Sequence, residues 1–213
     1  MILFGFYAVL VFLIVKISKT RPGIGSYDRI SEKQMSRLNA IHILNIVVML
    51  VPSWIIRQSP TSFLIFPDKV SIAQALAFLL TFGFISVLPW KRNNRMPDEI
   101  VSSTREVYGY LTSRVIFLVA YEWFFRGLLL TTLCSLMGNS WGIIANVSLY
   151  AAIHFYKGRK EMIGCVPLGI LLCVFTLWWH SVWPAIIFHL QIAIINEWPP
   201  LQHSISSQKQ TAL

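Results

Sequence analysis

The chain has 213 residues, 55% hydrophobic and only 13% charged, with a formal net charge of +9 and a mean hydropathy of +0.62. Soluble domains carry about 25% charged residues, so an ordinary water-soluble globule is excluded. The basic excess is spread over loops between apolar segments, which excludes a nucleic-acid-binding surface as its main purpose.

A helix needs about 20 apolar residues to cross a bilayer, and inside lipid the backbone is satisfied only within helices or closed barrels. Seven stretches qualify as helices: 2–17, 39–57, 71–90, 112–136, 140–156, 162–179 and 182–198. They predict an all-α, polytopic membrane bundle of about seven transmembrane helices, a single integral membrane domain over 1–213. The first, opening "MILFGFYAVLVFLIV", has no basic stretch before it and no small-residue cleavage site after it, so it reads as a retained span. The connector 18–38 is polar and broken by Pro22, Gly23 and Gly25, and its "YDRISEKQMSRL" suits a short surface helix. Residues 91–110 form the longest charged connector. Pro167 and Pro184 fall within the sixth and seventh spans, where neighbouring groups re-satisfy the freed carbonyls. Pro199-Pro200 opens a polar stretch, 199–213, predicted to be a mobile cytoplasmic tail.

Charge placement sets the expected topology. Of the 18 Lys and Arg, fifteen lie around 16–37, 91–114, 157–160 and 209, two (Arg57, Lys69) lie in the second loop, and Arg126 lies within a span. By the positive-inside rule the N-terminus is outside and the C-terminus cytoplasmic, as in a bacterial inner membrane. Cys134, Cys165 and Cys173 all sit in spans without metal-type spacing and read as small core residues.

Between Arg114 and Lys157 the only charged residues are Glu122 and Arg126. Each costs about 2.5–3.5 kcal/mol at mid-bilayer, and their i, i+4 spacing puts them on one helix face, where they can pair. His154 lies near the cytoplasmic end of the fifth span and His189 inside the seventh. Imidazole accepts or donates a proton or ligates a metal, and a nearby carboxylate can activate water. Glu, Arg and two His on three spans form a polar core suited to hydrolysis. A structural ion pair with two core histidines is the plain alternative. A proton-coupled carrier is a third, although the chain shows no paired halves. Glu161, seven residues after His154, sits among Lys157, Arg159 and Lys160, and Glu197 reads as interfacial.

These residues resemble a known family. "YEWFFRGLLL", then Tyr150 and His154, then "HSVWPAIIFHL" ending at Leu190, are similar to the three motifs of the CaaX-protease and bacteriocin-processing intramembrane proteases. The likeness covers 112–198, the last four spans, as a protease-like core. The second Glu and the Arg of the family's first motif fall on Glu122 and Arg126, and its two histidines on His154 and His189. The resemblance implies an intramembrane endopeptidase acting on membrane-associated, prenylated or leader-type peptide substrates. On that resemblance Glu122 polarises water, His154 and His189 orient it and stabilise the oxyanion, and Arg126 fixes Glu122; Glu161, on which no motif falls, is a candidate auxiliary acid or base. A zinc ion held by Glu122, His154 and His189 and a metal-free carboxylate mechanism are both open. Two positions depart from the family pattern: Tyr121 stands where the first Glu belongs, and Ala193 where an Asn or Asp closes the third motif. The departures leave open a catalytically inactive member that acts as a membrane scaffold or immunity-type protein.

Overall fold

A computed structural model describes residues 29–55, 99–155 and 159–211, together with 5, 7–9, 74, 76, 78–81 and 83. Among them the chain is helical apart from two three-residue strands. β1 (Arg29–Ser31) and β2 (Glu99–Val101) form a parallel ladder with Ile30 opposite Ile100.

Each strand runs into a helix through a side-chain cap. At the start of α1 (Glu32–Ile55), the Ser31 N–H donates to Gln34 Oε1 at 2.8 Å and the Gln34 N–H donates to Ser31 Oγ at 3.4 Å. This Ser-x-x-Gln spacing satisfies two otherwise orphaned N–H groups at once. At the start of α2 (Thr104–Glu122), Ser103 accepts from the Glu106 N–H. Ile30, Met35, Leu38, Val107 and Tyr110 pack together at this end.

α2 passes into a π-helical turn, Trp123–Leu129, and then α3 (Leu130–Met137). The resulting rod, Thr104–Met137, has 34 residues, about 51 Å at about 1.5 Å per residue. Gly138 reverses the chain into α4 (Asn139–Ala152). Its φ of +80° lies where glycine alone pays no steric penalty. Gly142 then lets α3 and α4 close on one another, since a Cβ there would meet the Cys134 Cα at 2.7 Å. α5 (Arg159–Trp179) and α6 (Trp183–Thr211) complete the chain. α1 packs on α2, α3 on α4, α4 on α5, and α2 on α6.

Three helices among the described residues are long and apolar enough to cross a membrane: Glu32–Pro52, Thr104–Met137 and Met162–Trp179. Trp183–Ile195 is a shorter apolar stretch. Their outer faces expose Val47, Leu136, Ile163 and Trp178. Such faces suit hydrocarbon, and the protein is an integral membrane helical bundle. The predicted spans 39–57, 112–136, 162–179 and 182–198 fall on α1, the α2–α3 rod, α5 and α6. Those at 2–17 and 71–90 lie largely outside the described residues, as do 18–28 and 91–98.

Two elements differ from the sequence expectation. α4 has 14 residues, about 21 Å against a hydrocarbon core of about 30 Å, where a full span over 140–156 is predicted. It stops at Ala152 and hands over to a turn at Ile153–His154. α6 continues in helical form through Pro199-Pro200 to Thr211, where the proline pair suggests the end of the span. Leu201 is fully buried in the cluster with Ile30 and Val107, and that anchor holds the backbone in register beyond the proline pair.

Candidate active site

The hairpin at Gly138 brings the first two groups level. Glu122 precedes Gly138 by sixteen residues (138 − 122) and His154 follows it by sixteen (154 − 138). In two antiparallel helices meeting at that turn, residues equidistant from it stand at similar depth. The short α4 thus ends beside the middle of the rod rather than at the far membrane face.

The third helix is set by two rungs between α2 and α6. At the outer rung, Arg114 donates through NH2 to Glu197 Oε1 at 2.8 Å and through Nε at 3.2 Å, and the Tyr110 hydroxyl donates to Glu197 Oε2 at 2.8 Å. At the inner rung, His189 Nδ1 contacts Glu122 Oε1. Arg114 and Glu122 are eight residues apart on α2, and His189 and Glu197 are eight apart on α6. Two turns separate the rungs on both helices, as an antiparallel pair in one register requires. The sequence reading treated Glu197 as interfacial; the structure pairs it with Arg114.

Glu122 and Arg126 have no exposed surface. Arg126 NH1 lies 3.3 Å from Glu122 Oε2, and its guanidinium sits 4.0 Å from the centre of the Tyr150 ring. The carboxylate is therefore held from both sides, by imidazole on one oxygen and guanidinium on the other. A carboxylate only accepts, so His189 Nδ1 carries its proton toward Glu122 and Nε2 keeps the lone pair, which accepts from the Tyr150 hydroxyl at 3.2 Å. His154 Nδ1 donates to the Tyr150 carbonyl at 2.8 Å, which likewise leaves its lone pair on Nε2. In its neutral form each imidazole is thus the Nδ1–H tautomer, and the two flank Tyr150.

Tyr121 lies at the centre of these rings. Its ring centroid is 6.0 Å from those of Tyr150 and His189 and 6.4 Å from that of His154. Glu122, Arg126, His154 and His189 thus gather around two tyrosines. Glu161 lies in the first turn of α5, and its side chain lies outside the described residues.

The π turn is the feature that sequence reasoning did not foresee. "WFFRGLL" carries the apolar pattern of an ordinary helix, and the cause of the widening is tertiary. The Phe125 carbonyl accepts the Leu130 N–H, five residues on, and also the Asn146 side-chain amide of α4 at 2.7 Å. Asn146 is itself fully buried and accepts from the Cys173 thiol of α5 at 3.3 Å. One widened turn so ties the rod to α4 and α5 beside the Glu122–Arg126 pair. π turns recur at functional sites.

The described donor set does not fit zinc. Glu122 and His189, two of the three ligands the sequence suggests, are turned on one another. The other carboxylate oxygen faces a guanidinium, which would repel a dication. No group of three His, Cys, Asp or Glu side chains able to hold a metal occurs among the described residues.

Residues 104–195 match the family model described as Rce1-like, type II CAAX prenyl endopeptidase Rce1-like. No curated protein and no solved structure matches the chain. The matched segment runs from the first residue of α2 into α6 and contains Glu122, Arg126, His154, Glu161 and His189.

Proposed function

Since residues 104–195 match the Rce1-like model of CAAX prenyl endopeptidases, we propose that the protein is an intramembrane endopeptidase. It hydrolyses peptide bonds of membrane-associated substrates, prenylated or leader-type, with water activated by Glu122 and His189. The observation that carries this reading is the doubly held Glu122 carboxylate, fully buried between His189 and Arg126. A buried carboxylate with both an imidazole and a guanidinium on it is costly to build merely for packing.

The tautomers set the roles. When the Tyr150 hydroxyl turns off it, His189 Nε2 takes the proton of the attacking water, and the negative Glu122 stabilises the imidazolium that forms, as a buried carboxylate does for a catalytic histidine. Arg126 keeps Glu122 ionised and in place. His154 Nε2 orients the water from the end of α4. Glu161 is the auxiliary acid or base. The N-terminus lies outside and the C-terminus in the cytoplasm of a bacterial inner membrane, so substrates enter from the cytoplasmic leaflet. The basic loops support that orientation.

The test uses the full chain in lipid nanodiscs with fluorogenic peptides, one farnesylated at a Cys-a-a-X terminus and one of leader type. Glu122→Gln and His189→Asn are each expected to lower kcat by about 10²–10⁴-fold, the range for loss of general-base catalysis. Equal turnover by all three proteins would show that the cluster is structural. A second reading, a non-catalytic scaffold, is favoured by one feature: Tyr121 offers no carboxylate at the first motif position. It predicts substrate binding without cleavage.

A further inference from the structure

Most hydrogen-bonding groups of the site have fixed partners, and the unused donors among the described residues there are those of Arg126 and Tyr121. Both histidines spend their Nδ1–H on fixed partners, Glu122 and the Tyr150 carbonyl. Tyr150 spends its hydroxyl on His189. Arg126 makes no hydrogen bond among the described residues, but its charge is held by Glu122 and its flat face by the Tyr150 ring. Peptide hydrolysis places a full negative charge on the former carbonyl oxygen, and that charge needs a donor aimed at it from a dry surrounding.

Tyr121 is 7% exposed, and its hydroxyl has no hydrogen-bond partner among the described residues. A buried hydroxyl left unpaired is destabilising, and phenylalanine would fill the same space without that loss. The ring is wedged edge-on among Tyr150, His154 and His189, and the phenol feels the charges of Arg126 and Glu122. Its oxygen is therefore retained at the heart of the site for a partner that arrives with the reaction.

We propose that Tyr121 is a catalytic residue whose hydroxyl donates the hydrogen bond that stabilises the tetrahedral oxyanion. The proposal rests on the endopeptidase reading above. A phenol ionises near pH 10, so at neutral pH it holds its proton and acts as donor, not base. The water oxygen bonds to the scissile carbonyl carbon while the carbonyl π pair moves onto oxygen, and the water's proton passes to His189 Nε2, from which the Tyr150 hydroxyl has turned away. The Tyr121 O–H donates to the new oxyanion and keeps its proton throughout. On collapse the C=O re-forms, the C–N bond breaks, and the proton on His189 passes to the departing amine. The products are a carboxylic acid and an amine, and no group is consumed.

Tyr121→Phe removes one oxygen and leaves the ring packing. In nanodiscs, with the same two peptides, kcat is expected to fall about 10²–10³-fold, the usual loss for one oxyanion donor, at unchanged KM. A peptide aldehyde, whose hydrate presents a tetrahedral centre, should lose affinity by a similar factor, while the intact peptide binds as before. Unchanged kcat and unchanged aldehyde affinity in Tyr121→Phe, with Glu122→Gln inactive, would overturn this role and leave the protease standing. A fall confined to KM would also overturn it, by making Tyr121 a binding contact. A wild-type protein that cleaves neither peptide would remove the protease reading and this role together.

Discussion

The two rungs between α2 and α6 have similar chemistry and opposite surroundings. Both join a carboxylate to a nitrogen cation or imidazole, and both recruit a tyrosine hydroxyl. The outer rung, Arg114–Glu197, keeps about a fifth of each side chain exposed, 22% and 19%. The inner one is closed: Glu122 and Arg126 have no exposed surface, and only His189 retains some, at 14%. Water softens the outer pair electrostatically and lets either partner survive alone. At the inner rung no solvent can replace a lost partner, so each group there is bound to the fate of the others. The difference teaches that one helix pair can hold a register lock at its edge and a reactive charge cluster at its centre, separated by two turns.

Breaking the inner rung should therefore cost far more than breaking the outer one. Arg126→Ala strands a buried carboxylate and removes a guanidinium packed on Tyr150, and is expected to destabilise by about 3–5 kcal/mol, read from thermal unfolding in nanodiscs. Arg126→Lys should recover part of that stability but less of the activity, because an ammonium lacks the flat face that lies on the ring. Asn146→Ala withdraws the second donor from the Phe125 carbonyl and is expected to cost about 1–3 kcal/mol, with hydrogen exchange rising in the π turn. Arg114→Ala and Glu197→Ala should each cost roughly 1 kcal/mol or less, as partly exposed pairs do. The swapped double variant Arg114→Glu with Glu197→Arg should regain most of it. Were the outer-rung variants to destabilise as much as Arg126→Ala, the contrast between the two rungs would fail. The smallest effect expected is that of Glu161→Gln, a fall in kcat of less than about tenfold, consistent with an auxiliary rather than a principal proton carrier.

How much of this was visible in the sequence depends on where each residue's partner lies. Glu122 and Arg126 stood out because their surroundings are apolar and their spacing is local, and the structure pairs them. His154 and His189 were singled out as polar groups in apolar helices, but their tautomers depend on Tyr150 and Glu122, and a sequence does not show which nitrogen faces what. The ion pair of Glu197 is not legible because its partner, Arg114, is 83 residues away, and an interfacial carboxylate after an apolar run looks the same whether it meets headgroups or a guanidinium. Asn146 carries no local signal for the same reason, since the carbonyl its amide meets, Phe125 in the π turn, is 21 residues away. The shortness of α4 was hidden because the apolar run continues past Ala152 while the helix does not. Two signals were local and could have been read: Ser31-x-x-Gln34 and Ser103-x-x-Glu106, spacings that mark helix starts and place the beginnings of α1 and α2.

The small parallel ladder has a bearing on how the molecule comes into being. Arg29 is matched with Glu99, so the first strand leaves the ribosome seventy residues ahead of its mate. At about 5–20 residues per second, that is a wait of roughly 4–14 s. During it α1 is already made but has neither the ladder nor α2 to rest on. The arrival of residues 99–101 is therefore the event that forms the ladder and joins the start of α1 to the start of α2.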